Sequence, residues 1–151
     1  MRNIFKIAIL IIVCMFITAC NKNDIIKFYD KVNKTLGDLS LTSDSFLKGK
    51  RSFGVDHYVG TYKVEYNKFS GTEILFGGTT IERENGSNIK INIIVENSNG
   101  KLEIIMNAKN KEEILATKDG VYEYEFDVKD GSNYLLISGT KYSGKINIEI
   151  N

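Results

Sequence analysis

Tyr122-Glu123-Tyr124-Glu125-Phe126-Asp127 places an aromatic ring at every second position and an acid at each position between. Side chains of a β-strand point alternately to its two faces, so this stretch reads as a strand with one apolar and one acidic face. Ile146, Ile148 and Ile150 against Asn147 and Glu149 repeat the pattern, as do Tyr58, Gly60, Tyr62, Val64 and Tyr66 against Val59, Thr61, Lys63, Glu65 and Asn67. Further runs follow at 73–82, 88–96, 101–107, 112–117 and 133–138. Between the runs stand Ser70-Gly71, Asn85-Gly86-Ser87, Asn97-Ser98-Asn99-Gly100, Ala108 to Lys111, Asp119-Gly120, Asp130-Gly131 and Gly139-Thr140. Asn-Gly and Asp-Gly tolerate the positive φ of hairpin turns. About eight short strands joined this way predict an all-β fold, an antiparallel two-sheet sandwich of jelly-roll type, over residues 57–151. Gly77-Gly78 interrupts the second run and predicts a bulge or bend there.

Upstream the period changes. Ile25, Phe28, Tyr29, Val32 and Leu36 recur at three and four residues among polar positions, predicting one short amphipathic helix over 24–36, with Asp24 at its start and Gly37 at its stop. Residues 38–56 are rich in Ser, Thr, Asp and Gly and read as a linker that becomes ordered near its end. Its basic cluster, Lys48, Lys50 and Arg51, suits a solvated loop, with anionic headgroups or wall polymer as the functional alternative.

The first nineteen residues have their own grammar. Arg2 and Lys6 precede an apolar run from Ile7 to Ala19, thirteen residues long where a bilayer-crossing helix needs roughly 20. Ile17-Thr18-Ala19-Cys20 resembles a lipobox, in which a branched apolar residue and two small ones precede a cysteine. Cys14 follows the bulky Val13 and does not fit. The resemblance implies a signal peptide over 1–19, cleavage before Cys20, and a diacylglycerol and acyl chain on that sulfur. Two chains suffice for stable anchoring where one is marginal. Residues 20–56 then form a tether on the outer face of the cytoplasmic membrane, ahead of an extracytoplasmic sandwich held by core burial without disulfides.

Gly60 to Gly71 with Leu75 to Thr80, and the tail from Gly131 to Tyr134 and Gly144 to Ile146, resemble small uncharacterised β-sandwich lipoproteins of clostridial, low-GC Gram-positive type. That resemblance implies a lipid-anchored surface domain and transfers no site residue except Cys20.

Composition narrows the function. Removing residues 1–19 takes Arg2 and Lys6 from 20 basic residues and leaves all 19 acidic ones, a formal balance of −1. That balance gives no reason to expect nucleic acid as a partner. His57 is the one histidine, and with Cys20 acylated no thiol remains, so neither a Cys–His dyad nor a His/Cys metal site can be assembled. Acid chemistry is left. Glu82 with Glu84, Glu112 with Glu113, and Glu123, Glu125 and Asp127 are grouped, yet glycosidase carboxylates must face each other across a cleft, and exposed strand faces commonly carry solvated acids. Asp127, Asp130 and Asn133 flank a Gly131 turn and offer oxygens to calcium, although an Asp-Gly turn explains the same residues. The expectation is therefore no catalytic residue, no metal and no cofactor beyond the lipid. Aromatic faces usually form core, but rings near loop edges can stack on sugars, which makes Tyr58, Tyr134 and Tyr142 the candidate ligand-binding residues. The sequence favours a non-enzymatic module for an envelope glycan or protein. A structural or scaffolding lipoprotein acting through protein association is the alternative.

Overall fold

In the computed structural model, residues 40–80, 83–108 and 111–151 are described. The expected leader, Cys20 and the 24–36 helix lie outside them. Among the described residues no helix is long and apolar enough to cross a membrane. The described residues form six strands: β1 (Lys50–Phe53), β2 (Gly60–Thr80), β3 (Asn88–Ala108), β4 (Lys111–Ala116), β5 (Gly120–Asp127) and β6 (Gly131–Ile150). All pairings are antiparallel, in the order β1-β2-β6-β3-β4, with β5 also on β3. The all-β antiparallel expectation is met.

The strand count differs from the eight expected, because three presumed turns are bends within continuous strands. β2, β3 and β6 pass through Lys68, Asn97 and Lys141, each with positive φ, and the ladder shifts register there and resumes. Hydroxyls take up amides freed at two of the bends: Lys68 N–H donates to Ser143 Oγ and Lys141 N–H to Ser70 Oγ, both at 2.9 Å. Each long strand thus has two halves joined at its bend, within one hydrogen-bonded sheet. Tyr62, Ile91, Ile93, Ile146 and Ile148 of one half and Leu75, Phe76, Ile104 and Ile137 of the other share one buried core. Tyr66 stacks on Phe69 at 4.5 Å and meets Tyr142 edge-on at 5.7 Å, filling the bend.

The linker of 38–56, expected to become ordered near its end, where β1 lies, is ordered earlier: Thr42 N–H and Oγ1 pair with Ile74 O and N–H along the open edge of β2. Arg51 donates to Leu75 O at 2.8 Å, Thr42 O at 2.7 Å and Asp44 at 2.6 Å. The Ser/Thr/Asp composition that suggested a flexible spacer instead satisfies a strand edge that would otherwise invite pairing. Arg51 thereby leaves the basic cluster, while Lys48 and Lys50 remain exposed.

The interior also holds a buried carboxylate. Glu73 Oε2 accepts from Tyr62 Oη at 2.6 Å and Tyr66 Oη at 2.5 Å, and Oε1 accepts from Lys48 N–H at 2.7 Å. Burial first, and the bonds to Glu73 next, raise both phenols well above the ordinary tyrosine value of 10.0. An unfolded chain releases those protons near pH 10 and the folded chain keeps them. Their stabilisation is therefore complete below about pH 10 and is lost as pH rises beyond it. Thermal melts from about pH 8 to 11, with phenolate absorbance recorded alongside, should show ionisation of these two only as the domain unfolds. Ionisation of all tyrosines in the native state near pH 10 would contradict this.

Candidate functional site

Tyr58, Tyr134 and Tyr142, the rings expected at loop edges, are 9%, 5% and 0% exposed. None offers a face to solvent, and each fits against a glycine. Tyr134 pairs across from Gly77, the Tyr58 hydroxyl approaches Gly78, and the Tyr142 ring end lies where a Gly144 side chain would stand. Tyr142 shares a 3.2 Å hydrogen bond with Ser98. Burial raises the Tyr58 and Tyr142 phenols above their ordinary value. All three serve the core.

His57 is exposed, its ring against Phe53 at 4.8 Å and its carbonyl accepting from Gly77 N–H at 2.8 Å. Asn133 turns its amide nitrogen toward Lys129 O and Gly131 O, at 3.0 and 3.2 Å, so it pins the Asp-Gly turn with a donor and does not present an oxygen there. Among the described residues no three His, Cys, Asp or Glu are grouped to hold a metal ion. Glu123, Glu125 and Asp127 stand on the exposed face of β5, where Glu125 pairs with Lys90 at 3.0 Å and Asp127 with Lys129 at 2.9 Å. Such pairs are weak and solvated. Glu73 is the buried acid, but its hydrogen bonds tie it to the interior.

The opposite face of β5 carries what sequence reasoning assigned simply to core. Tyr122, Tyr124 and Phe126 are half-buried, packed against the core's margin on a strand that pairs only through β3. At about 3.4 Å rise per residue the rings recur every ~7 Å along the edge. Their settings are fixed: Tyr122 Oη donates to Lys118 O at 3.0 Å, Tyr124 Oη to Leu115 O at 2.6 Å, and the Tyr124 and Phe126 rings lie 6.2 Å apart, inclined by 32°. The Tyr122 ring lies back over Gly120. Rigid rings in a row, each with part of its surface in water, can stack on the C–H faces of pyranose rings and lose little side-chain entropy in doing so.

No family model matches this chain, and no curated protein does. Among solved structures, it is similar to a mutant of a family 29 carbohydrate-binding module, 14% identical, covering 70% of this chain and 76% of that one at TM-score 0.36. Another mutant of that module, complexed with mannohexaose, is 13% identical, covers 69% and 77%, and has TM-score 0.35. BiXyn10A CBM1 in its apo form is 15% identical, covers 68% and 87%, and has TM-score 0.33. Likeness at this level assigns neither ligand nor site residues to this chain.

Proposed function

We propose that this chain is a non-catalytic module, lipid-anchored through Cys20 on the outer face of the cytoplasmic membrane, that binds an envelope glycan along Tyr122, Tyr124 and Phe126. The observation that carries the reading is the row of fixed, half-exposed rings on the open edge of β5. A row along an edge suits side-on binding of a polymer better than capture of a compact ligand. The anchor rests on the lipobox-like Ile17-Thr18-Ala19-Cys20, which would hold the module against the envelope polymers it reads.

The test is retention of the full chain on insoluble cell-wall glycan and on soluble glucan and mannan in affinity gels. The parent is expected to be retained without hydrolysing the polymer. Tyr122→Ala and Phe126→Ala should each weaken binding about tenfold, or ~1.4 kcal/mol, with the melting transition preserved. In cells, Cys20→Ala should abolish acyl labelling and release the protein from membranes, or leave it uncut. Absence of retention, or unchanged retention in the Tyr122→Ala/Phe126→Ala double variant, overturns the glycan reading. Loss of labelling in Cys14→Ala and not in Cys20→Ala overturns the anchor.

A further inference from the structure

A cavity of about 330 Å³ opens between the turn before β2, the connection from β2 to β3 and the end of β6. That volume is at the small end of ligand-sized pockets. Its wall includes Arg83, whose side chain is only 4% exposed. Arg83 donates through Nε and Nη2 to Asp56 Oδ2, at 3.0 and 2.8 Å, and through Nη1 to Gly86 O at 2.9 Å. Three of the five N–H donors of a guanidinium are thereby used, which leaves two at a buried group beside an open cavity. Each guanidinium nitrogen already has one partner and the group lies over the Tyr58 ring at 5.2 Å, so it is held in place with N–H groups to spare for an acceptor in the cavity.

The remaining lining restricts what that ligand is. Asp56 already balances the charge of Arg83, so the cavity gives an anion little net attraction. Val59 and Ile150 make an apolar floor and the highly exposed Val55 an apolar rim, while Asn85 and Asn88 bring amides that both donate and accept. A small apolar group beside a strong acceptor, carried on a hydroxylated ring, satisfies all three features. The acetamido group of an N-acetylated hexosamine is such a combination.

We propose that this cavity is a subsite for an N-acetylhexosamine unit of the envelope glycan, its acetamido carbonyl accepting from Arg83 and its methyl lying on Val55, Val59 and Ile150. This inference rests on the glycan-binding reading and adds to it a sugar specificity that the β5 rings, which stack on any pyranose, do not supply. The Arg83–Asp56 pair also ties the two loops that form the cavity, which fixes the guanidinium in place before the sugar arrives.

The experiment is saturation-transfer NMR and calorimetry on the full chain in a detergent without a sugar headgroup, with free N-acetylglucosamine, glucose and glucuronate as probes. N-acetylglucosamine is expected to bind, with strongest saturation at its acetamido methyl, and glucose and glucuronate at least tenfold more weakly. Val55→Asp and Asn85→Ala, both at exposed positions outside the core, should each weaken N-acetylglucosamine at least tenfold. Arg83→Lys, which keeps the charge and removes the planar fork, should abolish binding; should it not fold, the two surface variants decide. Equal binding of glucose and N-acetylglucosamine, no binding of either, or binding indifferent to Val55→Asp and Asn85→Ala overturns the proposal. Polymer retention by the same parent protein separates the two readings. Retention without N-acetylglucosamine binding overturns the cavity subsite alone, whereas absence of both overturns the glycan reading beneath it.

Discussion

Glu73→Val is expected to lower the stability of the domain by roughly 4 kcal/mol, a large part of the 5–15 kcal/mol typical of a folded domain. The carboxylate is the acceptor for three groups inside the molecule: the hydroxyls of Tyr62 and Tyr66 and the backbone N–H of Lys48. Valine removes the acceptors and leaves the donors, and each buried donor left unmade costs about 1–3 kcal/mol. Glu73→Gln should cost less, about 2 kcal/mol, because the amide oxygen still serves both tyrosines while the amide nitrogen faces the Lys48 N–H, donor against donor. Adding Tyr66→Phe to Glu73→Val should recover part of the loss, since one orphaned hydroxyl goes with its acceptor, whereas Tyr62 Oη also accepts from Gly49 N–H and is better kept. Urea unfolding of the four proteins measures each step. A Glu73→Val protein within 1 kcal/mol of the parent would show that the carboxylate's three bonds do not hold the interior together.

Glu73 also shows where a sequence is legible and where it stops being so. Its parity with Leu75 in the alternating run already puts it on the inward face, so the buried acid is a consequence of the pattern that revealed the strands. Each of the eight alternating runs overlaps a strand over most of its length, and Asn85-Gly86, Asp119-Gly120 and Asp130-Gly131 fall between strands or at a strand's first residue. Ser70-Gly71, Asn97 to Gly100 and Gly139-Thr140 do not separate strands. A break of Gly, Ser and Asn has one appearance whether the chain reverses or merely bends, because the outcome depends on whether the neighbouring strand continues alongside. The aromatic residues were misassigned for a related reason. Alternation tells which face a ring occupies but not the strand's place in the sheet. Tyr134 and Tyr142 lie on β6, covered by β2 and β3 on either side, whereas Tyr122, Tyr124 and Phe126 lie on β5, at an edge. Strand order, which no local pattern encodes, buries Tyr134 and Tyr142 between neighbouring strands and leaves the core-facing Tyr122, Tyr124 and Phe126 partly exposed at an edge. The early part of the linker is ordered by hydrogen bonds of Thr42 and Arg51, which leave no periodic signature, while Leu47 and Phe53 pack singly against the core.

Gly77→Ala is expected to cost about 4 kcal/mol or more, and Gly86→Ala only about 1–2 kcal/mol, although both glycines have positive φ. The two positions separate backbone preference from steric exclusion. At Gly86 an added Cβ meets nothing within 4 Å, so alanine bears only the cost of its conformation. At Gly77 the same atom would overlap the carbonyl oxygen of Asn133 and stand 2.8 Å from Tyr134 Cα, both backbone atoms of central strand β6. Neither can retreat while Gly77 stays in register with Tyr134 and Gly78 with Asn133. The Gly77 N–H meanwhile holds the carbonyl of His57 at 2.8 Å, which fastens the turn carrying Asp56 to β2. A shift of β2 at Gly77 therefore loosens the partner of Arg83 as well as the ladder. Gly77→Ala should accordingly lower the unfolding midpoint far more than Gly86→Ala, and, in whatever fraction remains folded, increase amide exchange at Asp56 to Val59 ahead of β4 and β5. Equal costs for the two substitutions would mean that β6 yields at this point, and that the glycine serves its φ alone.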